Sequence, residues 1–196
     1  MNIVKAFACA IATCLVAINP AFSQESFSAR SFGTAKCSEV VETAQENADV
    51  FTALSIYASG FVTGKNVSVK EHDVFPILNP IGQLGLFVVL VCSSNTDKNV
   101  AQILAAAIDK TKIYRTSNKR DKSLTVTAGK TSIIVYEEYL LKAQSFLRSE
   151  GYKVRADGQF GIKTQKAFED YKKKNKVQGD ALPDVYFYLS MISDIK

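Results

Sequence analysis

The stretch Arg155-Ala156-Asp157-Gly158-Gln159-Phe160-Gly161-Ile162-Lys163-Thr164 decides how the chain is read. Asp157-Gly158 suits a tight turn, because Asp hydrogen-bonds its own backbone and Gly tolerates a positive φ. Phe160 lies between glycines that offer no cover, so it has to turn inward. Thr164 caps or opens a helix with Ala167, Phe168 and Tyr171 on its buried face and Lys172 to Lys174 on its wet side. Upstream, Tyr139, Leu140, Ala143, Phe146 and Leu147 form another helical face, ended by Gly151-Tyr152. Downstream of Gly179, Pro183 is a good first residue for a third helix running through Tyr186, Leu189 and Ile192.

Gln144 and Leu147, Gly151-Tyr152, Asp157-Gly158, Phe160-Gly161, Thr164, Ala167, Tyr171 and Gly179 follow one another in the order Q-x-x-L, G-Y, D-G-x-F-G-x-x-T, an aromatic and a later glycine. On these residues the segment resembles the family of three-helix peptidoglycan-binding domains. It departs from that pattern at Lys172, where the family has glutamine, and at Val185, where it has threonine. The resemblance implies a small helical module that holds peptidoglycan. The candidate contacts are the polar groups near the loop: Tyr152, Arg155, Asp157, Gln159 and Lys163. An aromatic face, cations, and amide or carboxylate groups suit a ligand made of hydroxyls, amides and carboxylates. The alternative is the same fold reused for a protein contact.

The N-terminal half also reads as helical. Val40, Val41 and Ala44 share a face near Cys37, and Val50, Ala53, Leu54, Tyr57 and Phe61 share another, which Gly60 and Gly64 are expected to close. Ile81, Leu84, Val88, Val91 and Cys92 fit a 3.6 period, although LFVVLV alone also suits a buried strand. Asn95 is the expected N-cap for a helix bearing Val100, Ile103, Leu104, Ala107 and Ile108. The pattern Cys37, Tyr57 to Asn66, then Cys92-Ser93-Ser94-Asn95-Thr96 resembles the HdeA-like group of small periplasmic helical proteins. That group includes acid-stress chaperones and, more distantly, immunity proteins. Thr96 stands where the group usually has proline. A generic disulfide-stapled helical domain is the other reading.

Composition and termini frame these two blocks. The chain has 196 residues, 47% hydrophobic and 22% charged, which excludes a disordered tail, a collagen-like repeat and a polytopic membrane protein. Residues 1–23 read as a signal peptide: Lys5, the apolar run Ala6 to Ile18, a break at Asn19-Pro20, then Ala21-Phe22-Ser23 before the cut. Cleavage discards Cys9 and Cys14, leaving Cys37 and Cys92 in an oxidising compartment, periplasmic or secreted, where two cysteines favour one disulfide. Neither sits in a CxxC or beside a histidine, as a reactive thiol pair would. Closing that loop stabilises by about 4 kcal/mol on the chain-entropy account.

The net charge of +5 is too mild to point to nucleic acid. By segment it divides into −3 over 24–110, +5 over 111–134 and +2 over 135–196. The expected architecture is therefore all-α: an HdeA-like domain at 24–112, a basic linker at 113–134 and a peptidoglycan-binding-like domain at 135–196. No transmembrane segment is expected once the signal is removed.

No catalytic constellation emerges. His72 is the one histidine, so no His-His metal pair exists, and no metal or cofactor is expected. Glu137 and Glu138 are adjacent on a helix and point apart, which makes a poor carboxylate pair. Ser193-Asp194-Ile195-Lys196 has S-x-x-K spacing without companion motifs, and Asn66-Val67-Ser68 is a sequon in a chain whose resemblances are bacterial. The expectation is a non-catalytic exported protein that binds peptidoglycan and presents its helical block to a periplasmic protein partner. A periplasmic acid-stress chaperone and an immunity-type inhibitor of a cell-wall hydrolase are the alternatives.

Overall fold

The computed structural model describes residue 29 and residues 31–192, apart from 71, 79 and 118–121. The expected signal peptide, residues 118–121 of the expected basic linker and the Ser193–Lys196 spacing lie outside the described residues. Helix α1 (Cys37–Glu46) buries Cys37, Val40 and Ala44. Asn47 both stops it, donating its N–H to Thr43 O, and caps α2 (Ala48–Val69) by accepting from the N–H groups of Asp49 and Val50.

Helix α2 runs through Gly60 and Gly64 instead of ending there. Each interior glycine costs about 1 kcal/mol, and burial of Leu54, Ala58 and Val62 offsets that. The far end is tied down by Asn66, whose amide donates to Asp73 Oδ1 (2.9 Å) while its carbonyl accepts from Val74 N (2.9 Å). Those bonds engage the sequon asparagine within the fold.

Helix α3 (Pro80–Ser93) settles the LFVVLV stretch as helical, with Leu84, Phe87, Val88, Val91 and Cys92 buried. It approaches α2 closely at Gly85, where a Cβ would lie 2.0 Å from Ser55 Oγ. The Cys37–Cys92 disulfide is formed and pins the start of α1 to the end of α3. Helix α4 (Val100–Lys110) is capped by Asn99, not by Asn95. Asn99 Oδ1 accepts from Gln102 N, and Gln102 Oε1 accepts from Asn99 N. Asn95 instead donates to Val91 O at the end of α3.

The all-α expectation is corrected by two antiparallel two-stranded sheets. Strand β1 (His72–Asp73) pairs with β2 (Thr116–Ser117), and β3 (Ser123–Ala128) pairs with β4 (Thr131–Tyr136). Both β2 and β3, and most of β4, fall in the stretch read as a basic linker. Leu124, Val126 and Ala128 alternate with threonines, the period-2 signature of a half-buried strand. Gly129, at φ 61, then supplies a two-residue turn with Lys130. The apolar period is too short to mark the segment as more than a linker, yet the alternation governs its structure, burying Val126, Ala128, Ile133 and Val135.

Strand β4 runs directly into α5 (Glu137–Ser149), followed by α6 (Ile162–Asn175) and α7 (Val185–Ser190). Helix α7 is capped by Asp184, whose side chain accepts from Phe187 N, so Pro183 precedes the cap instead of opening the helix. Its buried face is Val185, Phe187 and Tyr188. Tyr188 packs against Phe75, Phe87, Tyr114 and Tyr139, with ring centroids 5.6–6.1 Å apart. Gln83 Oε1 accepts from Val185 N (3.0 Å), and the Tyr114 hydroxyl donates to Met191 O (3.2 Å). Helices from both ends of the chain thus share one core.

Candidate functional site

The site is built around the end of α5. Gly151 (φ 89) lets the chain reverse: its N–H donates to Arg148 O and that of Tyr152 to Leu147 O, both at 3.0 Å, the two bonds of a Schellman motif. Residues 152–161 then return across α5 without regular structure, and a buried side chain holds them. Gln144 Oε1 accepts from Asp157 N (3.0 Å) and Gly158 N (2.8 Å). Its Nε2 donates to Gln159 O at 2.9 Å and lies 3.3 Å from both Asp157 Oδ1 and Thr164 Oγ1.

Around that clamp the loop closes on itself. Asp157 Oδ1 accepts from Gln159 N (3.0 Å), and Thr164 donates to Gln159 O (3.0 Å). Helix α6 starts at Ile162, so Thr164 sits in its first turn and braces the loop, while Gly161 takes the N-cap position without a side-chain cap. Gly158 is required twice: its φ is 72, and a Cβ there would lie 2.8 Å from Glu137 Cγ.

An open groove runs along this loop, made of two adjoining concavities of about 570 and 630 Å³. Tyr152, Arg155, Asp157, Gln159 and Lys163 all line it. Sequence reading passed over Arg148, Lys153 and Ile162, which line it too. Arg148 sits on α5 one helical turn beyond Gln144, distant in sequence from the polar groups of the turn. Ile162 is 89% exposed at the head of α6, an exposure that its place after Gly161 in the sequence does not reveal.

The five expected residues are not equally available. Arg155, Asp157, Gln159 and Lys163 are exposed. Tyr152 is half-buried, edge-on to Tyr171 at 5.9 Å, with the Lys174 ammonium 6.0 Å over its ring. Asp157 spends one oxygen inside the loop, and Gln159 contributes its backbone carbonyl to the clamp.

Two ionic contacts brace the surrounding helices. Lys172, expected on the wet side of α6, is buried against Asp184, with both carboxylate oxygens at 2.7 Å. Burial pushes the Lys172 ammonium down and the Asp184 carboxyl up, each opposed by its partner's charge. On the other flank, Glu138 accepts from Ser117 N (2.7 Å) and Ser117 Oγ (2.8 Å) and pairs with Lys142 (2.9 Å). Lys142 also donates to Arg115 O. Burial pushes the Glu138 carboxyl up, but the Ser117 and Lys142 bonds outweigh it and hold its pKa at about 2. Glu137 lies against Gly158 while Glu138 faces Ser117, so the two carboxylates serve different elements.

Elsewhere, His72 is exposed in β1. Among the described residues, no group of three or more His, Cys, Asp or Glu side chains is placed to hold a metal ion. No described helix is long and apolar enough to cross a membrane. No family model matches the chain, nor does any curated protein or solved structure.

Proposed function

We propose that this chain is an exported, non-catalytic protein that docks on peptidoglycan through the groove at the end of α5. In this reading its disulfide-stapled helices α1 to α4 face a protein partner. The observation that carries it is the convergence of Arg155, Asp157, Gln159 and Lys163 on one groove whose backbone is locked by Gln144. A preorganised loop loses little entropy when a ligand arrives, which favours binding by exposed polar side chains. The resemblance of the Q-x-x-L, G-Y and D-G-x-F-G-x-x-T residues to peptidoglycan-binding domains supplies the ligand class.

The test is co-sedimentation of the whole protein with purified sacculi. Arg155→Ala and Lys163→Ala are better probes than Tyr152→Ala, because both side chains are exposed while Tyr152 also packs on Tyr171. The wild type is expected in the pellet and the double variant largely in the supernatant, with unchanged unfolding midpoints. A wild type that stays in the supernatant would sink the reading.

A further inference from the structure

Resting on the wall-binding reading, we propose that the groove recognises the carboxylates of peptidoglycan stem peptides and not the neutral hydroxyls of the glycan strand. Four cations line it, Arg148, Lys153, Arg155 and Lys163, against a single carboxylate, Asp157. Among the described residues none of the four cations makes an ion pair, whereas elsewhere on α5 and α6 Lys142 pairs with Glu138, Lys166 with Asp170 and Lys172 with Asp184. The one acid is partly consumed, because Asp157 Oδ1 accepts from Gln159 N and faces Gln144 Nε2.

The head of α6 adds to this field. Its first turn holds no acidic residue, and Gly161 supplies no side-chain cap, so the positive end of the helix opens beside Lys163. Arginines and lysines left unpaired around a concavity favour a ligand that brings its own negative charges, and Arg forks bind carboxylates two bonds at a time.

A glycan would ask for a different surface. Sugar rings lay their apolar faces on open aromatic rings, and no such platform lines this groove. Tyr152 is half-buried, with Tyr171 at its edge and Lys174 over its face. The open apolar contact is Ile162, which offers a small branched surface suited to alanyl methyls next to carboxylates. Alternating methyl and carboxylate groups describe a short acidic peptide.

The test compares three matrices with the whole protein: native sacculi, sacculi whose carboxyls have been amidated, and glycan strands stripped of stem peptides with the freed lactyl carboxyls amidated. Retention is expected on native sacculi, with apparent affinity lower by about tenfold or more on the other two. Arg155→Gln and Lys163→Gln should each weaken native binding by about tenfold while leaving the unfolding midpoint unchanged. A soluble stem peptide should compete, and the same peptide with its carboxyls amidated should not. Equal retention on native and amidated sacculi, or retention on stripped glycan, would overturn the carboxylate assignment while leaving wall binding intact. Failure to bind native sacculi would remove the wall-binding reading itself.

Discussion

Gln144 holds the groove in shape although it does not line it. Buried in α5, it receives two backbone N–H groups of the loop and returns a bond to Gln159 O. Gln144→Leu keeps the volume but strands those donors, and should cost about 3 kcal/mol in urea unfolding. Gln144→Glu should lose stability as pH rises, because an ionised oxygen would then face Gln159 O and Asp157 Oδ1, and regain part of it when protonated. An unchanged unfolding midpoint in both variants would show that the loop holds itself. The sequence marks Gln144 as one position of Q-x-x-L, but a motif shows recurrence, not which backbone groups lie opposite 13 and 14 residues later. For the same reason Lys172 read as a surface lysine: its partner Asp184 is 12 residues away and joins it only through packing.

At the scale of elements, α6 ends in the same Schellman geometry as α5, with Val177 N donating to Lys172 O, but the left-handed position is occupied by Lys176 at φ 55. Glycine fits that conformation without strain, so Lys176→Gly should raise stability by about 1 kcal/mol, read as a higher urea midpoint. The contact between β2 and α5 predicts an acid-sensitive component. Glu138 has a pKa of about 2 in the fold against 4.5 when free. The unfolded chain therefore takes up the proton first, and the contribution is complete above about pH 4.5 and is lost as pH falls toward 2. Glu138→Gln should lower the midpoint at neutral pH and flatten its decline across that window. If wild type and variant decline in parallel, the Glu138 contact adds nothing. Helix positions were largely legible here, because Val40 and Ala44, Leu84 and Val88, and Leu140 and Ala143 all keep the 3.6 period. Ends were less so. Gly60 and Gly64 looked like stops because propensity is local, whereas α2 is held to Val69 by burial and by Asn66 reaching beyond it. The β3–β4 hairpin shows in the sequence only as a short alternation around Gly129-Lys130, too brief to form a sustained apolar period, which is why the segment reads as a linker.

Over the whole molecule, Tyr188 joins rings from α3, the segment between β1 and α3, the segment before β2, and α5, while Gln83 is bonded to Val185 N. Apolar side chains from α1 through α7 belong to one buried cluster. A shared core of this kind should unfold in a single calorimetric transition, and Tyr188→Ala should lower it by several degrees. Two resolved transitions would show that the halves melt independently. Charge is uneven along the sequence, net −3 over 24–110, while Arg148, Lys153, Arg155 and Lys163 line the groove. That the groove is the ligand-binding surface is the account's central claim. It is tested most directly by mapping amide chemical shifts of the whole protein as soluble muropeptides are added. The account predicts saturable shifts concentrated between Arg148 and Thr164, with the largest around Arg155 and Lys163. Shifts that are absent, or that gather on α1 to α4 and leave this loop unmoved, would contradict it.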